Sequence, residues 1–300
     1  MRSWIRGPIT CRGIRTHPSN PSIVRSTTRT LTTRPPIFIR YGRWLKGIVT
    51  QWDWGLAPDQ SPVRSAIAER ISASEQLVTI GTILSIVIGV ALGVYTAIHQ
   101  YKWQDRVFNA LATFFLVVPV AVLGLFVVFG AISINQAAGS RIFFVTGLHA
   151  YDGPDIWKSF VDFLQHIVLP TIVLTIPGAV SYHLTQRTYL LDTMNADYVR
   201  TARAKGLTKG QAIRRHALRT SLIPTCVNVA FSIAGVFTGA VITETVFAIN
   251  GLGRYFVTTI ANNDINGSVA IAAFGGVCTL AGALLADIAS AMLDPRIRLS

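Results

Sequence analysis

Long apolar runs separated by short polar segments occupy the chain from about residue 76 onward. About twenty consecutive apolar residues cross the hydrocarbon core of a bilayer as a helix, and five runs are that long. These runs cover residues 76–99, 108–134, 167–190, 222–247 and 269–293. Gly89 and Gly93 in the first run have the four-residue spacing at which two membrane helices can approach each other closely. The pattern predicts an all-α, polytopic helical membrane protein with about five transmembrane helices.

The composition agrees with this prediction and narrows the class of protein. The chain has 300 residues, of which 51% are hydrophobic and 14% are charged, and its formal net charge at pH 7 is +13. A charge of this size is typical of nucleic-acid-binding proteins, but here the basic residues are segregated. Ten of the 27 lie at or before Lys46, and eight lie between Arg187 and Arg219. Basic clusters beside apolar runs indicate membrane topology, because short basic loops stay in the cytoplasm.

The loop charges predict the orientation of the chain. If Lys102, Arg106, the cluster at residues 187–219 and the tail residues Arg296 and Arg298 are all cytoplasmic, successive loops alternate between the two sides without conflict. The opposite orientation would carry these arginines across the membrane, which is costly. We therefore expect a cytoplasmic C-terminus.

The residues before the first apolar run do not fit this topology. Residues 1–36 are basic and contain neither an acidic residue nor a long apolar run, which predicts a disordered or non-native N-terminal segment. Residues 37–75, with Trp44, Trp52 and Trp54, are typical of an external segment at the membrane interface. Residues 76–300 form the transmembrane domain. Five spans place the basic N-terminal segment outside, so we expect that the native start lies upstream of Met1 and that a first transmembrane helix is missing.

A basic loop at residues 191–221 separates the third and fourth apolar runs. Residues 195–205 contain good helix formers and neither Pro nor Gly, and Gly206 stands where a left-handed residue ends a helix. Thr208 and Gln211 have the spacing of a capping box, and Leu207 and Ala212 that of a hydrophobic staple. The loop is therefore predicted to contain two short helices joined by a tight turn.

The second of these helices is predicted to end at Pro224, with Ile213, Ala217 and Ser221 on one side. Two interpretations of the loop remain open from its residues. A stiff, exposed knob on the cytoplasmic side can insert into a partner protein, whereas a basic loop can also be held against anionic lipid.

The loop resembles a known segment, the cytoplasmic coupling loop of ABC importer permeases, and most of all the B-type subunit of the oligopeptide and dipeptide branch. In that family the loop docks on the ATP-hydrolysing subunit. Arg200-Thr201-Ala202 and the late Pro224 depart from the general importer pattern, which has Glu-Ala-Ala and an earlier Pro. The resemblance implies that the ATPase-coupling residues are Asp197, Tyr198, Val199, Arg200, Thr201, Ala202, Arg203, Ala204, Lys205, Gly206 and Leu207.

A second stretch, near the outer end of the fourth run, also carries the resemblance. The residues from Glu244 to Phe247, followed by Gly251-Leu252-Gly253, are similar to the family's Glu-Thr-Val-Phe…Gly-Leu-Gly stretch. The resemblance implies a gate or translocation path at Glu244, Phe247, Gly251 and Gly253. The alternative is that Glu244 caps and ties the outer turn, and that the glycines end the fourth helix in a tight turn.

The resemblance implies a permease subunit of an ATP-driven ABC importer that translocates di- or oligopeptides across the bacterial cytoplasmic membrane. The expected partners are a second permease subunit in a heterodimer, two ABC ATPase subunits, an external solute-binding protein and membrane lipids, with no nucleic acid. The chain has no phosphate-binding loop, so no cofactor, catalytic residue or metal site is expected on it, and ATP is bound by the partner subunits. The alternatives are a nickel or metal-chelate permease, and a non-transporting membrane anchor that recruits a partner through its basic loop.

Overall fold

Helices make up most of the described chain. The computed structural model describes residues 36–150, 153–236 and 240–293, so the predictions for residues 1–35 and for the C-terminal tail lie outside the described residues. Two compact units divide the chain, Met1–Leu45 and Lys46–Ser300. In order, the helices are α1 (Ile37–Gln51), α2 (Val63–Ile98), α3 (Trp103–Val117), α4 (Val120–Ala138), α5 (Ile156–Met194), α6 (Asp197–Ala204), α7 (Lys209–Ala212), a π-helical turn (Ile213–Ala217), α8 (Leu218–Val236), α9 (Val241–Val246), α10 (Leu252–Ala261) and α11 (Ile265–Leu293).

Four of these helices, α2, α4, α5 and α11, are long and apolar enough to cross a membrane. The prediction of an all-α polytopic membrane protein is confirmed. α2 begins at Val63, well before the apolar run at residues 76–99, because residues 63–75 contain no Gly or Pro that would end a helix. The segment at residues 37–75, which was predicted to lie at the membrane interface, contains α1 and the first part of α2.

The predicted span at residues 108–134 is two helices, not one. Pro119 begins α4, and the residue before it, Val118, is extended with φ −71° and ψ 120°. A proline ring clashes with a helical conformation of the preceding residue, so α3 must end there. The prediction that a helix ends at Pro224 is wrong, because this proline lies inside α8 and the helix continues to Val236.

α5 contains the predicted span at residues 167–190 and begins eleven residues earlier, at Ile156. Its 39 residues contain Pro170 and Pro177. At 1.5 Å per residue the helix is about 58 Å long, well beyond the roughly 30 Å of a hydrocarbon core, so it projects from the membrane. The Asp155 side chain caps its first turn by accepting hydrogen bonds from the amides of Trp157 and Lys158.

The fourth predicted span, at residues 222–247, is also divided. α8 covers its first part, and α9 is a separate short helix of six residues after residues 237–239, which lie outside the described part of the chain. The fifth, at residues 269–293, lies within α11, which begins slightly earlier at Ile265.

Close packing of α2 against α5 forms the centre of the second unit. A Cβ atom added at Gly89 would lie 2.5 Å from the carbonyl oxygen of Ala179, and one added at Gly93 would lie 2.8 Å from that of His183. Real side chains do not tolerate such distances to a backbone, so only glycine permits this approach. The predicted role of Gly89 and Gly93 in helix contact is confirmed.

Polar side chains fasten further helices to α5. Gln186, which is fully buried, donates to the Ser221 hydroxyl and accepts from Thr225, and so joins α5 to α8. Arg187 forms two parallel bonds with Asp105, from Nε to Oδ1 at 2.9 Å and from Nη2 to Oδ2 at 3.1 Å, and so joins α5 to α3. Because Asp105 follows the Lys102 turn and Arg187 precedes the basic loop, the two basic segments lie at the same end of these helices.

The glycine contacts can be tested with a matched pair of substitutions. Gly89→Ala forces apart α2 and α5, and we expect it to lower the free energy of unfolding by about 1–3 kcal/mol. Gly130→Ala in α4 is the control, because a Cβ there meets nothing within 4 Å, and it should be neutral or slightly stabilising. Thermal unfolding in detergent, followed by tryptophan fluorescence, measures both. Equal stability of the two variants would contradict close packing at Gly89.

The Asp105–Arg187 pair should be energetically coupled. The Asp105 side chain is only 6% exposed, so Arg187→Gln leaves a nearly buried carboxylate without its partner, at a cost of about 3 kcal/mol. Asp105→Asn together with Arg187→Gln should cost clearly less than the sum of the single changes. The exposed pair Asp197–Arg200 is the control and should show no measurable coupling. Additive effects at Asp105 and Arg187 would mean that their contact contributes nothing to stability.

Candidate functional site

The first part of the basic loop is an amphipathic helix, α6. Val199 and Ala202 are buried, whereas Asp197, Arg200 and Arg203 project into solvent. Tyr198 is 44% exposed, and tyrosine is a residue type that is enriched at protein–protein interfaces. One face of α6 therefore anchors the loop and the other presents charges and an aromatic ring.

A Schellman motif ends α6. The amide of Leu207 donates to the carbonyl of Ala202 at 3.3 Å, and the amide of Gly206 donates to that of Arg203 at 3.0 Å. Gly206 has φ +94°, as the sequence predicted. A Cβ at this position would meet nothing within 4 Å, so the backbone angle alone, and not space, requires glycine.

The next helix begins with the predicted capping box. The amide of Gln211 donates to the Thr208 hydroxyl at 3.4 Å, and the amide of Thr208 donates to the Gln211 side chain at 3.1 Å. Leu207 packs against the apolar cluster that includes Ala212, in agreement with a hydrophobic staple. Both ends of the turn are thus fixed by hydrogen bonds, and the bend between α6 and α7 is stiff.

A π-helical turn, which the sequence analysis missed, links α7 to α8. Its buried residues are Ile213 and Ala217, as predicted for the inner side, whereas Arg214 and Arg215 are exposed. A π turn inserts one extra residue per turn, and single turns of this kind occur frequently at functional sites. Its residues are ordinary helix formers, so nothing in the local sequence indicates it.

An apolar cluster packs the basic loop against the ends of α2 and α5. Ala97 from the end of α2 and Leu190 from α5 are fully buried in it. They pack with Val199, Ala202, Ala212, Ile213 and Ala217. The loop therefore shares one apolar cluster with the ends of both helices.

The second predicted site is a buried carboxylate. Glu244 is fully buried and accepts hydrogen bonds from the Ser74 hydroxyl at 2.7 Å, the amide of Ala240 at 3.1 Å and the amide of Arg254 at 2.9 Å. Ser74 in turn accepts from the amide of Leu252 at 2.7 Å. These bonds join α2, α9 and α10, which favours the interpretation of Glu244 as a structural tie. Ser74 was not anticipated, since it lies in the polar stretch before the first apolar run and no local pattern indicates a buried hydrogen bond there.

The glycines beside Glu244 make this arrangement possible. A side chain at Gly251 would collide with the Glu244 carboxylate, and one at Gly253 would lie 2.7 Å from Cα of Val241. The interpretation of Gly251-Leu252-Gly253 as the end of a helix is wrong, because Gly251 precedes the first residue of α10. The small size of Gly251 and Gly253 allows close packing at the start of α10.

Phe247 is fully buried, and its carbonyl accepts a hydrogen bond from the amide of Gly147 at 2.9 Å. It packs in an apolar cluster with Leu77 of α2 and Val173 of α5. The four predicted gate residues are therefore near one another in the chain's fold, with Glu244 and Phe247 closed off from solvent. Their role at a gate stays a prediction.

The chain is similar to known membrane transport proteins over most of its length. Residues 89–299 match the family described as binding-protein-dependent transport system inner membrane component. The oligopeptide transport system permease protein OppB of Mycobacterium tuberculosis is 38% identical over 266 residues, covering 88% of this chain and 82% of that protein.

Two proteins of Bacillus subtilis are also similar, each 30% identical. The oligopeptide transport system permease protein AppB aligns over 87% of this chain and 81% of its own length, and the dipeptide transport system permease protein DppB over 88% and 80%. The family match spans α3 to α11 completely and includes the basic loop and Glu244. The chain therefore belongs to the family of binding-protein-dependent transport system inner membrane components.

Proposed function

We propose that this chain is a permease subunit of an ATP-driven importer that carries di- or oligopeptides across the cytoplasmic membrane. The observation that carries the proposal is the basic loop, whose stiff, capped bend is seated on the ends of α2 and α5. The peptide cargo is supported by the names of relatives that align with most of this chain.

In this proposal the loop lies in the cytoplasm, as does the C-terminus. Support comes from the Asp105–Arg187 pair, which brings the Lys102 turn and the basic loop to one end of the helices. Basic segments at the same end satisfy the positive-inside rule together. The start of α5 and the α10 region then lie outside, where an external solute-binding protein delivers its cargo.

The mechanism follows from the stiffness of the loop. Separate ATPase subunits bind and hydrolyse ATP, and their closure moves the exposed face of α6 and the Gly206 turn. Since Val199, Ala202, Ile213 and Ala217 pack on Ala97 and Leu190, the loop transmits this movement to α2 and α5. A second permease subunit completes the pathway, and the helices alternate between inward-open and outward-open states.

The fixed bend can be tested at Gly206. Gly206→Val places a branched side chain at φ +94°, which costs about 1–2 kcal/mol and distorts the turn. We expect uptake to fall sharply while basal ATP hydrolysis by the assembled transporter persists without stimulation by solute. Uptake and ATPase activity in proteoliposomes measure the two effects.

Gly210→Val is the matched control, because Gly210 is equally exposed and a Cβ there also meets nothing within 4 Å. This variant should retain solute-stimulated hydrolysis. Normal stimulation in Gly206→Val would refute the coupling role of the turn. Release of the ATPase subunits from wild-type membranes by high salt alone would instead favour a purely electrostatic anchor.

The cargo can be tested by complementation. Cells lacking the gene should regain uptake of a labelled tripeptide when this chain is supplied, and nickel uptake should not change. Restoration of nickel uptake alone would move the chain to metal import, and restoration of neither would contradict an importer function. The Gly206→Val variant, expressed at the same level, is the negative control.

A further inference from the structure

A polar cleft of about 620 Å³ lies at the end of α2 away from the basic loop. Its walls are the turn at residues 57–61, the first part of α2, α10 and the residues that lead into α11. Its volume falls within the range of roughly 300–1,000 Å³ that is usual for small-molecule sites. The prediction of a gate at Glu244 did not include this cleft.

Four charged side chains line the cleft, two of each sign. They are Arg70, Arg254, Asp59 and Asp264. The ion pairs within 4.0 Å in the described part of the chain are Asp155–Lys158, Asp162–His166, Asp105–Arg187 and Asp197–Arg200, so none involves these four. Opposite charges that share one cleft without pairing are available to a ligand that carries both signs.

The two arginines are held in place by contacts that leave most of their donors available. Arg70 donates from Nη1 to the Ala66 carbonyl at 2.6 Å, and its guanidinium lies 4.5 Å from the centre of the Tyr255 ring. Arg254 donates from Nη1 to the Ala248 carbonyl and to Asn250. A guanidinium has five N–H donors in a fork that matches a carboxylate, so each can still bind one.

Hydrogen bonds from nearby residues also hold the carboxylates of Asp59 and Asp264 in place. Asp59 accepts through Oδ1 from the amide of Ser61 at 3.0 Å and from its hydroxyl at 2.7 Å. These bonds lower the pKa of Asp59 from its ordinary value, with a further contribution from Arg70, so Asp59 is charged at neutral pH. Asp264, which is 5% exposed, accepts from the amide of Gly267 at 2.9 Å.

We propose that this cleft binds a short peptide by its two free ends, with the α-carboxylate on Arg70 and Arg254 and the α-ammonium on Asp59 and Asp264. The inference rests on the proposed function for the choice of a peptide, and it adds a recognition site for the ends on the permease itself. A simple anion or a simple cation would leave two charges of the opposite sign unpaired beside it, whereas a zwitterion satisfies both pairs.

Two residues that line the cleft also contact the buried carboxylate of Glu244. Arg254 lines the cleft with its side chain, and its amide donates to the buried Glu244. Gly251 lines the cleft as well and contacts the same carboxylate. A peptide bound here would therefore contact the turn that Glu244 ties to α2.

Protection of an introduced thiol tests the cleft directly. Thr258 is exposed in the cleft, and Thr258→Cys is made in the assembled transporter with Cys11, Cys226 and Cys278 replaced by Ser. A tripeptide with free ends should slow alkylation by a membrane-impermeant reagent. N-acetylation or C-amidation of the tripeptide should each raise the concentration for half protection by about tenfold, since each removes a charge-assisted contact.

Two conservative variants test which side chains bind the two ends of the peptide. Arg70→Gln should abolish the preference for the free carboxylate over the amide, and Asp59→Asn, on an exposed turn, should abolish the preference for the free ammonium over the acetylated form. Arg64→Gln, an exposed arginine of α2 outside the cleft, is the control and should retain both preferences. No protection in the parent protein, equal protection by all three peptides, or unchanged preferences in both variants would overturn the inference.

Tripeptide uptake measured in the same membranes separates this inference from the proposed function. Uptake without thiol protection would refute peptide binding in the cleft but would leave the importer function unaffected. Protection that depends on the free ends, but without any uptake, would support the cleft and contradict the importer function.

Discussion

The close approach of α2 to α5 is the contact on which both candidate sites depend. At Gly89 and Gly93 the backbone of α2 lies against that of α5, with no room for a side chain between them. In a membrane the lipid is as apolar as the helices, so helix association rests on close packing and hydrogen bonds rather than on the hydrophobic effect. The two helices therefore behave as one rigid pair.

This pair of helices connects the basic loop with the buried Glu244. Ala97, near the end of α2, carries the basic loop, and Ser74, 23 residues earlier in the same helix, binds Glu244. At 1.5 Å per residue they are separated by roughly 35 Å along the helix. A movement applied to the loop cannot be absorbed within α2, since no proline or irregular turn interrupts it. In the proposed mechanism this movement therefore reaches the buried hydrogen bonds around Glu244.

The sequence predicted best those features that depend on local chemistry. The positive φ of Gly206, the capping box of Thr208 and Gln211, and the inner side of the π turn at Ile213 and Ala217 follow from short-range backbone hydrogen bonding and helical spacing. Prolines were harder to interpret. Pro119 ends a helix whereas Pro224 does not, because neighbouring helices in a membrane can compensate the lost hydrogen bond.

Features that depend on distant parts of the chain could not be predicted from local pattern. Ser74 and Glu244 are 170 positions apart, and Asp105 and Arg187 are 82 apart. Each pair is recognisable only once the packing of the helices has placed its members together, Ser74 of α2 with Glu244 of α9 and Asp105 of α3 with Arg187 of α5. The glycines at 251 and 253 show the same limit, because their small size suggested a helix end whereas it serves tertiary contacts with Glu244 and Val241.

The carboxylate of Glu244 explains why these distant contacts matter for the movement of the chain. A buried carboxylate is costly unless its oxygens are satisfied, and here two amides and one hydroxyl satisfy them from three helices. A rearrangement that separates α10 from α2 must break the Ser74–Leu252 bond and at least one of the bonds of Glu244 to Ser74 and to Arg254. In the proposed mechanism the basic loop moves one end of α2, and the Glu244 hydrogen bonds hold the other end.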